Sequence, residues 1–165
     1  MKNIFETMVK LQHKFNEETI ENYLDKNLNW NSAIIAESGE LLDSLGYKWW
    51  KKVVPDMENV KVEAIDLLHF VISRTLQEHY TPLYLPTHIK AEDYIENTYV
   101  DFQEYFTEIE KYDEMDFNIQ ELIRELICDR FEGFLILKLL FEQLNMSNED
   151  VYIAYIVKNC LNKFR

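Results

Sequence analysis

Residues 57–78, from Met57 to Glu78, read MENVKVEAIDLLHFVISRTLQE, and this stretch decides the fold. Val60, Val62, Ala64, Ile65, Leu67, Leu68, Phe70, Val71 and Ile72 fall on nearly every side of a helix. A helix that is apolar all round must be buried by other elements. At about 100° per residue, Glu63, Asp66, His69 and Ser73 lie within roughly 120° of one another, so a single polar stripe runs along an otherwise greasy helix. Buried carboxylates are costly unless they are paired or bound to a metal. The stripe therefore marks a candidate site as well as the central helix.

The flanking sequence supplies the helices that bury it. Trp30 to Leu45 carries Ile34, Leu41 and Leu45 at helical spacing, with Gly46 as its stop. Residues 3–24 repeat the pattern with Ile4, Met8, Leu11 and Phe15. Further helices are predicted from Glu92 to Lys111 and, as one long element containing Gly133, from Asn118 to Leu144. A last one runs from Val151 to about Lys163, behind the capping sequence Ser147-Asn148-Glu149-Asp150. Thr81 to Pro86 is a loop, with two of the three prolines close together. Only 3 Gly and 3 Pro in 165 residues argue against a many-stranded sandwich or barrel and leave no glycine-rich phosphate loop. No repeat or linker divides the chain. The expectation is one all-α domain over residues 1–165, a helical bundle. The Met57–Glu78 and Asn118–Leu144 helices carry more apolar surface than a small bundle readily hides, which points to a dimer.

A net charge of −13 excludes a sequence-independent grip on a nucleic acid polymer or an anionic membrane. The most apolar run, Phe131 to Leu140, contains Glu132 and Lys138 and is too short to span a bilayer. With no leader-like segment at the start, a cytoplasmic protein is expected. Cys128 and Cys160 form no CxxC pair and have no zinc ligand set beside them; they read as small buried hydrophobes.

The Trp30–Leu45 helix also places carboxylates on an apolar stripe. Glu37 falls between Ile34 and Leu41, and Glu40 and Asp43 follow at successive turns. Two helices thus offer Glu37-x-x-Glu40 and Glu63-x-x-Asp66. Facing each other, they would set four carboxylates around one site, and an oxygen-only donor set suits a hard cation such as Mg²⁺. A di-iron bundle would want paired Glu-x-x-His motifs. Asp66-x-x-His69 nearly mimics one, but no second pair exists. Lys48, Lys51 and Lys52 follow the first carboxylate helix, and Lys158, Lys163 and Arg165 lie near the C-terminus. Flanking a carboxylate–metal site, such clusters fit phosphate binding.

Six ordered blocks resemble the all-α, dimeric dUTPase family, related to MazG-like and phage dCTPase-type nucleotide pyrophosphohydrolases. They are Leu11-Gln12-His13-Lys14-Phe15-Asn16, Asn29-Trp30, Ala36-Glu37-Ser38-Gly39-Glu40-Leu41-Leu42-Asp43-Ser44, Tyr47-Lys48-Trp49-Trp50-Lys51-Lys52, Val62-Glu63-Ala64-Ile65-Asp66-Leu67-Leu68-His69-Phe70 and Lys158-Asn159-Cys160-Leu161-Asn162-Lys163-Phe164-Arg165. The resemblance implies that Glu37, Glu40, Glu63 and Asp66 hold Mg²⁺, with Glu37 also orienting the attacking water. It implies that Gln12, Asn16, Trp50 and His69 shape the nucleoside pocket. Lys51, Lys158 and Arg165 would contact phosphates, and Asn162 the deoxyribose. It implies a homodimer whose partner helps build the site. Members continue past the position of Arg165 with a Gln-Asp-x-Gly-Tyr tail that folds over the nucleotide; the sequence here stops at Arg165, as a short form or with its tail missing.

The reading is a Mg²⁺-dependent dUTP diphosphatase that yields dUMP and pyrophosphate. Its rivals are a dCTPase or broader dNTP pyrophosphohydrolase, and a non-catalytic helical binding or regulatory protein. Uracil and cytosine differ at O4/N4 and N3, so one or two side chains decide between the nucleotides. Pure binding needs no set of four carboxylates.

Overall fold

The computed structural model describes residues 3–80, 91–107, 117–128 and 133–164. Among them there are seven α-helices and no strand: α1 Ile4–Thr19, α2 Trp30–Leu45, α3 Met57–Tyr80, α4 Ala91–Thr107, α5 Ile119–Cys128, α6 Gly133–Gln143 and α7 Asn148–Asn162, with a 3₁₀ turn at Tyr23–Lys26. As its composition dictates, α3 is the central post, packed against α1, α2, α4, α6 and α7. Val60, Ala64, Leu67, Leu68, Val71, Ile72 and Leu76 are all fully enclosed there. The predicted 81–86 loop lies outside the described residues.

The helix ends follow local chemistry. Asn3 caps α1 by accepting from the Phe5 and Glu6 amides. Asn29 accepts from the Ser32 amide to open α2, and Gly46 closes it at φ +74°, a left-handed turn that favours glycine. Asp56 caps α3 through the Asn59 amide. At α7 the expected capping box is present: Ser147 and Asp150 satisfy each other's backbone amides.

Four expectations are corrected. The first helix stops at Thr19 rather than reaching residue 24, because Ile20 is extended and Asn22 takes the left-handed region at φ 53°. Asn tolerates that conformation, and the turn carries Tyr23 into the core. The single helix over 118–144 is instead two helices, α5 and α6, which pack against each other. Folding back buries Leu122, Ile123 and Leu126 against the core that also takes Phe134, Leu137, Leu140 and Phe141. Gly133 permits it, since a Cβ there would lie 2.6 Å from Arg74 Nη2 and 3.1 Å from Val71 Cγ1. The apolar surface of α3 and of the α5–α6 pair is thereby mostly enclosed within one chain, so it does not itself call for a partner. Finally, Cys128 and Cys160 are exposed free thiols, not core residues. The helical periodicity of α5 and α7 turns both outward. Among the described residues no helix is long and apolar enough to cross a membrane.

Candidate functional site

The hairpin of α2 and α3 brings Glu37, Glu63 and Asp66 together, one carboxylate oxygen of each lying within 4.8 Å of the others. Glu63 is buried and held by Asn59, whose Nδ2 donates to Glu63 Oε1 at 2.9 Å and to Ser44 Oγ at 2.7 Å. Glu40 is exposed and stands outside this group of three. Its charge still reaches them. Burial, then Asp66, Glu40 and Glu63, push the Glu37 carboxyl up to about 7, against the opposing pull of Lys158. Burial also raises Glu63, opposed by the Asn59 hydrogen bond and by Lys158 and aided by Asp66 and Glu40. Lys158 of α7 closes the cluster, its Nζ 2.5 Å from Asp66 Oδ2. Concentrated, partly desolvated negative charge of this kind favours a bound cation.

A cavity of 280 Å³ opens beside the carboxylates, lined by Glu37, Asp66, Lys158 and Asn162 together with Gln12, Asn16 and His69. Its apolar walls are Phe15, Trp30 and Phe70. The Gln12, Asn16 and His69 side chains form a closed network. Gln12 Nε2 donates to Asn16 Oδ1 (2.9 Å) and Ser73 Oγ (3.0 Å). Asn16 Nδ2 also donates to Ser73 Oγ, which donates to the His69 carbonyl. The Gln12 amide is thereby oriented, so its Oε1 faces His69 Nδ1 at 2.6 Å and accepts from the Tyr155 hydroxyl at 2.7 Å. Tyr155 stacks on the imidazole, centroids 4.1 Å apart. A carbonyl oxygen only accepts, so Nδ1 carries the hydrogen. Burial, with Lys158 adding to it, depresses the imidazole pKa to about 3, so the ring is neutral. Nε2 is left as a bare, buried acceptor without a hydrogen-bond partner among the described residues.

Of the residues singled out from sequence, Glu37, Glu63 and Asp66 converge, and Gln12, Asn16, His69, Lys158 and Asn162 line the adjoining cavity. Trp50 and Lys51 do not border it; both are exposed on the loop between α2 and α3. Lys48 pairs with Asp43 and Lys163 with Glu18 (3.2 Å). Arg165 lies outside the described residues. Sequence reasoning missed Tyr155, Trp30 as a wall, and Asn59. Tyr155 stands three residues before Lys158 on the same helix face and was findable; Asn59, one turn before Glu63, likewise. A larger cavity, 560 Å³, lies at the start of α2 beside Arg74 and Glu78. It holds no convergent carboxylates, and Arg74 there is engaged with Asn31 and Glu78, so its size does not make it the chemical centre.

These shifts fix a pH dependence. Glu37 keeps its proton to about 7 in the folded protein, whereas the unfolded chain releases it near the ordinary carboxylate value. Its contribution is therefore fully present at low pH and is lost as pH rises through 7. His69, held down to about 3, acts oppositely and only below the ordinary imidazole value. The window from about 6.5 to 8 thus lies clear of His69 and holds the Glu37 change. In chelator, the melting temperature is expected to fall across that window, and Glu37→Gln to flatten the fall. A profile that rises with pH in the parent would contradict the assignment.

The family model described as dUTPase matches residues 4–165 of this chain. No curated protein matches it.

Proposed function

The chain belongs to the dUTPase family and is a dUTP diphosphatase, and on that premise we propose how its residues carry out the reaction. Glu37, Glu63 and Asp66, with Glu40 one turn from Glu37, hold Mg²⁺. The observation that carries this is the convergence of three carboxylates within 4.8 Å beside a cavity lined by polar and aromatic side chains. The donors fit the ion: all are oxygens, and the cluster is strained electrostatically without a cation. Bound there, Mg²⁺ neutralises triphosphate charge and makes water a better nucleophile near neutral pH.

The protein's own groups do the rest. Glu37, one of the three converging carboxylates, orients the attacking water and takes its proton. Water oxygen bonds to phosphorus in line as the phosphoanhydride bond breaks, and dUMP and pyrophosphate separate. Lys158 neutralises a phosphate and Asn162 meets the deoxyribose. Bare Nε2 of His69 accepts the N3 hydrogen of uracil, while Gln12 and Asn16 hold the imidazole in that tautomer. Cytosine presents a lone pair at N3 and is refused. Trp50, Lys51 and Arg165 enter as contacts made once nucleotide is bound. Acting on free nucleotide, the protein works in the cytoplasm.

Pyrophosphate release from the four dNTPs, with Mg²⁺ and with chelator, tests this. Turnover is expected to be fastest on dUTP and to vanish in chelator. Undiminished turnover in chelator would remove the metal reading.

The working form is a homodimer in this reading. What supports it is the outer face of α7, where Ile153, Val157 and Leu161 recur every four residues and are 54–56% exposed, with Val62 of α3 beside them. A contiguous apolar stripe of this kind marks an interface. Sedimentation at micromolar concentration should give a dimer, and Val157→Glu with Leu161→Glu a monomer. A monomeric parent would contradict it.

A further inference from the structure

Lys158 turns onto the carboxylate cluster at Asp66 rather than reaching for solvent. Its ammonium lies 2.5 Å from Asp66 Oδ2, and the two side chains are only 17% and 14% exposed. Long lysine side chains ordinarily keep the head in water, so a shielded ammonium here answers a local need. Asp66 in turn lies within 4.8 Å of a carboxylate oxygen of Glu37 and of Glu63, so the ammonium stands beside all three carboxylates. A divalent ion bound by the three oxygens would need Asp66 and would stand next to a like charge. Both facts set the lysine against the metal.

We propose that Lys158 is the counter-ion built into the metal-free site: its ammonium holds the carboxylate cluster together until a divalent cation displaces it from Asp66, and the released side chain is then available to the nucleotide's phosphates in the adjoining cavity. The inference rests on the metal reading above and adds an exchange to it. Lys158 thereby weakens metal binding in the absence of nucleotide and makes the metal-free fold tolerate three converging acids. It is a positioning residue in the empty site and a phosphate contact in the loaded one.

The test is the affinity of the nucleotide-free protein for Mn²⁺ and Mg²⁺, by calorimetry at pH 8. Lys158→Met is expected to bind about tenfold more tightly than the parent and, in chelator, to melt at a lower temperature. Lys163→Ala, which removes an ammonium seated on Glu18, should leave metal affinity unchanged. Should Lys158→Met fail to fold, the parent alone suffices: acetylation of Lys158, read by mass spectrometry, should quicken on adding saturating Mg²⁺. Affinity in Lys158→Met equal to or below the parent's, or a Lys158 reactivity indifferent to Mg²⁺, overturns the exchange. Absence of metal binding by the parent removes the metal reading itself, and the exchange with it.

Discussion

Glu37→Gln and Asp66→Asn are each expected to leave less than about a thousandth of the parent turnover on dUTP, roughly 4 kcal/mol of lost transition-state stabilisation, with the helical fold intact. Both exchanges keep side-chain volume and remove one charge from the cluster. Glu37 is half-buried, and Asp66 keeps a hydrogen-bonding oxygen for Lys158 as asparagine. The two variants should part company in stability. Glu37→Gln removes the buried charge and the repulsion that raise this group, so at pH 8 in chelator it should melt above the parent. Asp66→Asn also removes the partner that holds Lys158, so its gain should be smaller or reversed. Mg²⁺ should raise the parent's melting temperature and have a much weaker effect on either variant. Turnover within about threefold of the parent in both would show that these carboxylates are structural.

Much of this was legible because burial and periodicity speak together. In α3 nearly every position is apolar, so any carboxylate there had to be either buried or on one stripe, and Glu63 and Asp66 were marked for that reason. Glu37 was marked because it interrupts the Ile34–Leu41 stripe, and both neighbours are indeed enclosed. Glu40 has the same spacing from Glu37 as Asp66 from Glu63, yet it is exposed. The difference lies outside the motif: α3 is surrounded, while α2 packs mainly on α3 and leaves a side to solvent. Spacing along one helix cannot report that. Nor can it report the break between α5 and α6, where periodicity is equally good for one helix or for two that fold together. The close approach of Gly133 to Arg74 is a tertiary fact. The polar network on His69 joins α1, α3 and α7, across 143 residues from Gln12 to Tyr155, and no local pattern announces such a junction. Trp50 carried a role by resemblance alone; nothing in its own neighbourhood of exposed aromatics draws it to the cavity.

Gln12→Leu should cost the protein its choice of base. Gln12 is fully used within the fold: its nitrogen donates twice, to Asn16 and Ser73, and its oxygen meets His69 and Tyr155. It has no bond left for a ligand, so its effect on substrate must pass through the imidazole. With leucine, the Nδ1 hydrogen loses its acceptor, and nothing then favours that tautomer over the one with hydrogen on Nε2. Uracil would face a donor half the time or more where it needs an acceptor. A site built around one hydrogen bond rejects a ligand of the wrong pattern by several orders of magnitude. The dUTP-to-dCTP ratio of kcat/KM is therefore expected to fall about a hundredfold or more, chiefly through loss on dUTP. Stability should drop as well, by about 1–3 kcal/mol for buried donors left unpaired, but that loss alone would lower both substrates equally. Gln12→Glu separates the two effects further. A carboxylate against Nδ1 favours the doubly protonated ring, which presents a donor at Nε2, and the preference should move toward cytosine. ¹⁵N spectra of His69 report the tautomer directly in each protein. An unchanged dUTP-to-dCTP ratio in Gln12→Leu, in a protein whose His69 tautomer has demonstrably shifted, would take base recognition away from the imidazole and leave it with the apolar walls of Phe15, Trp30 and Phe70.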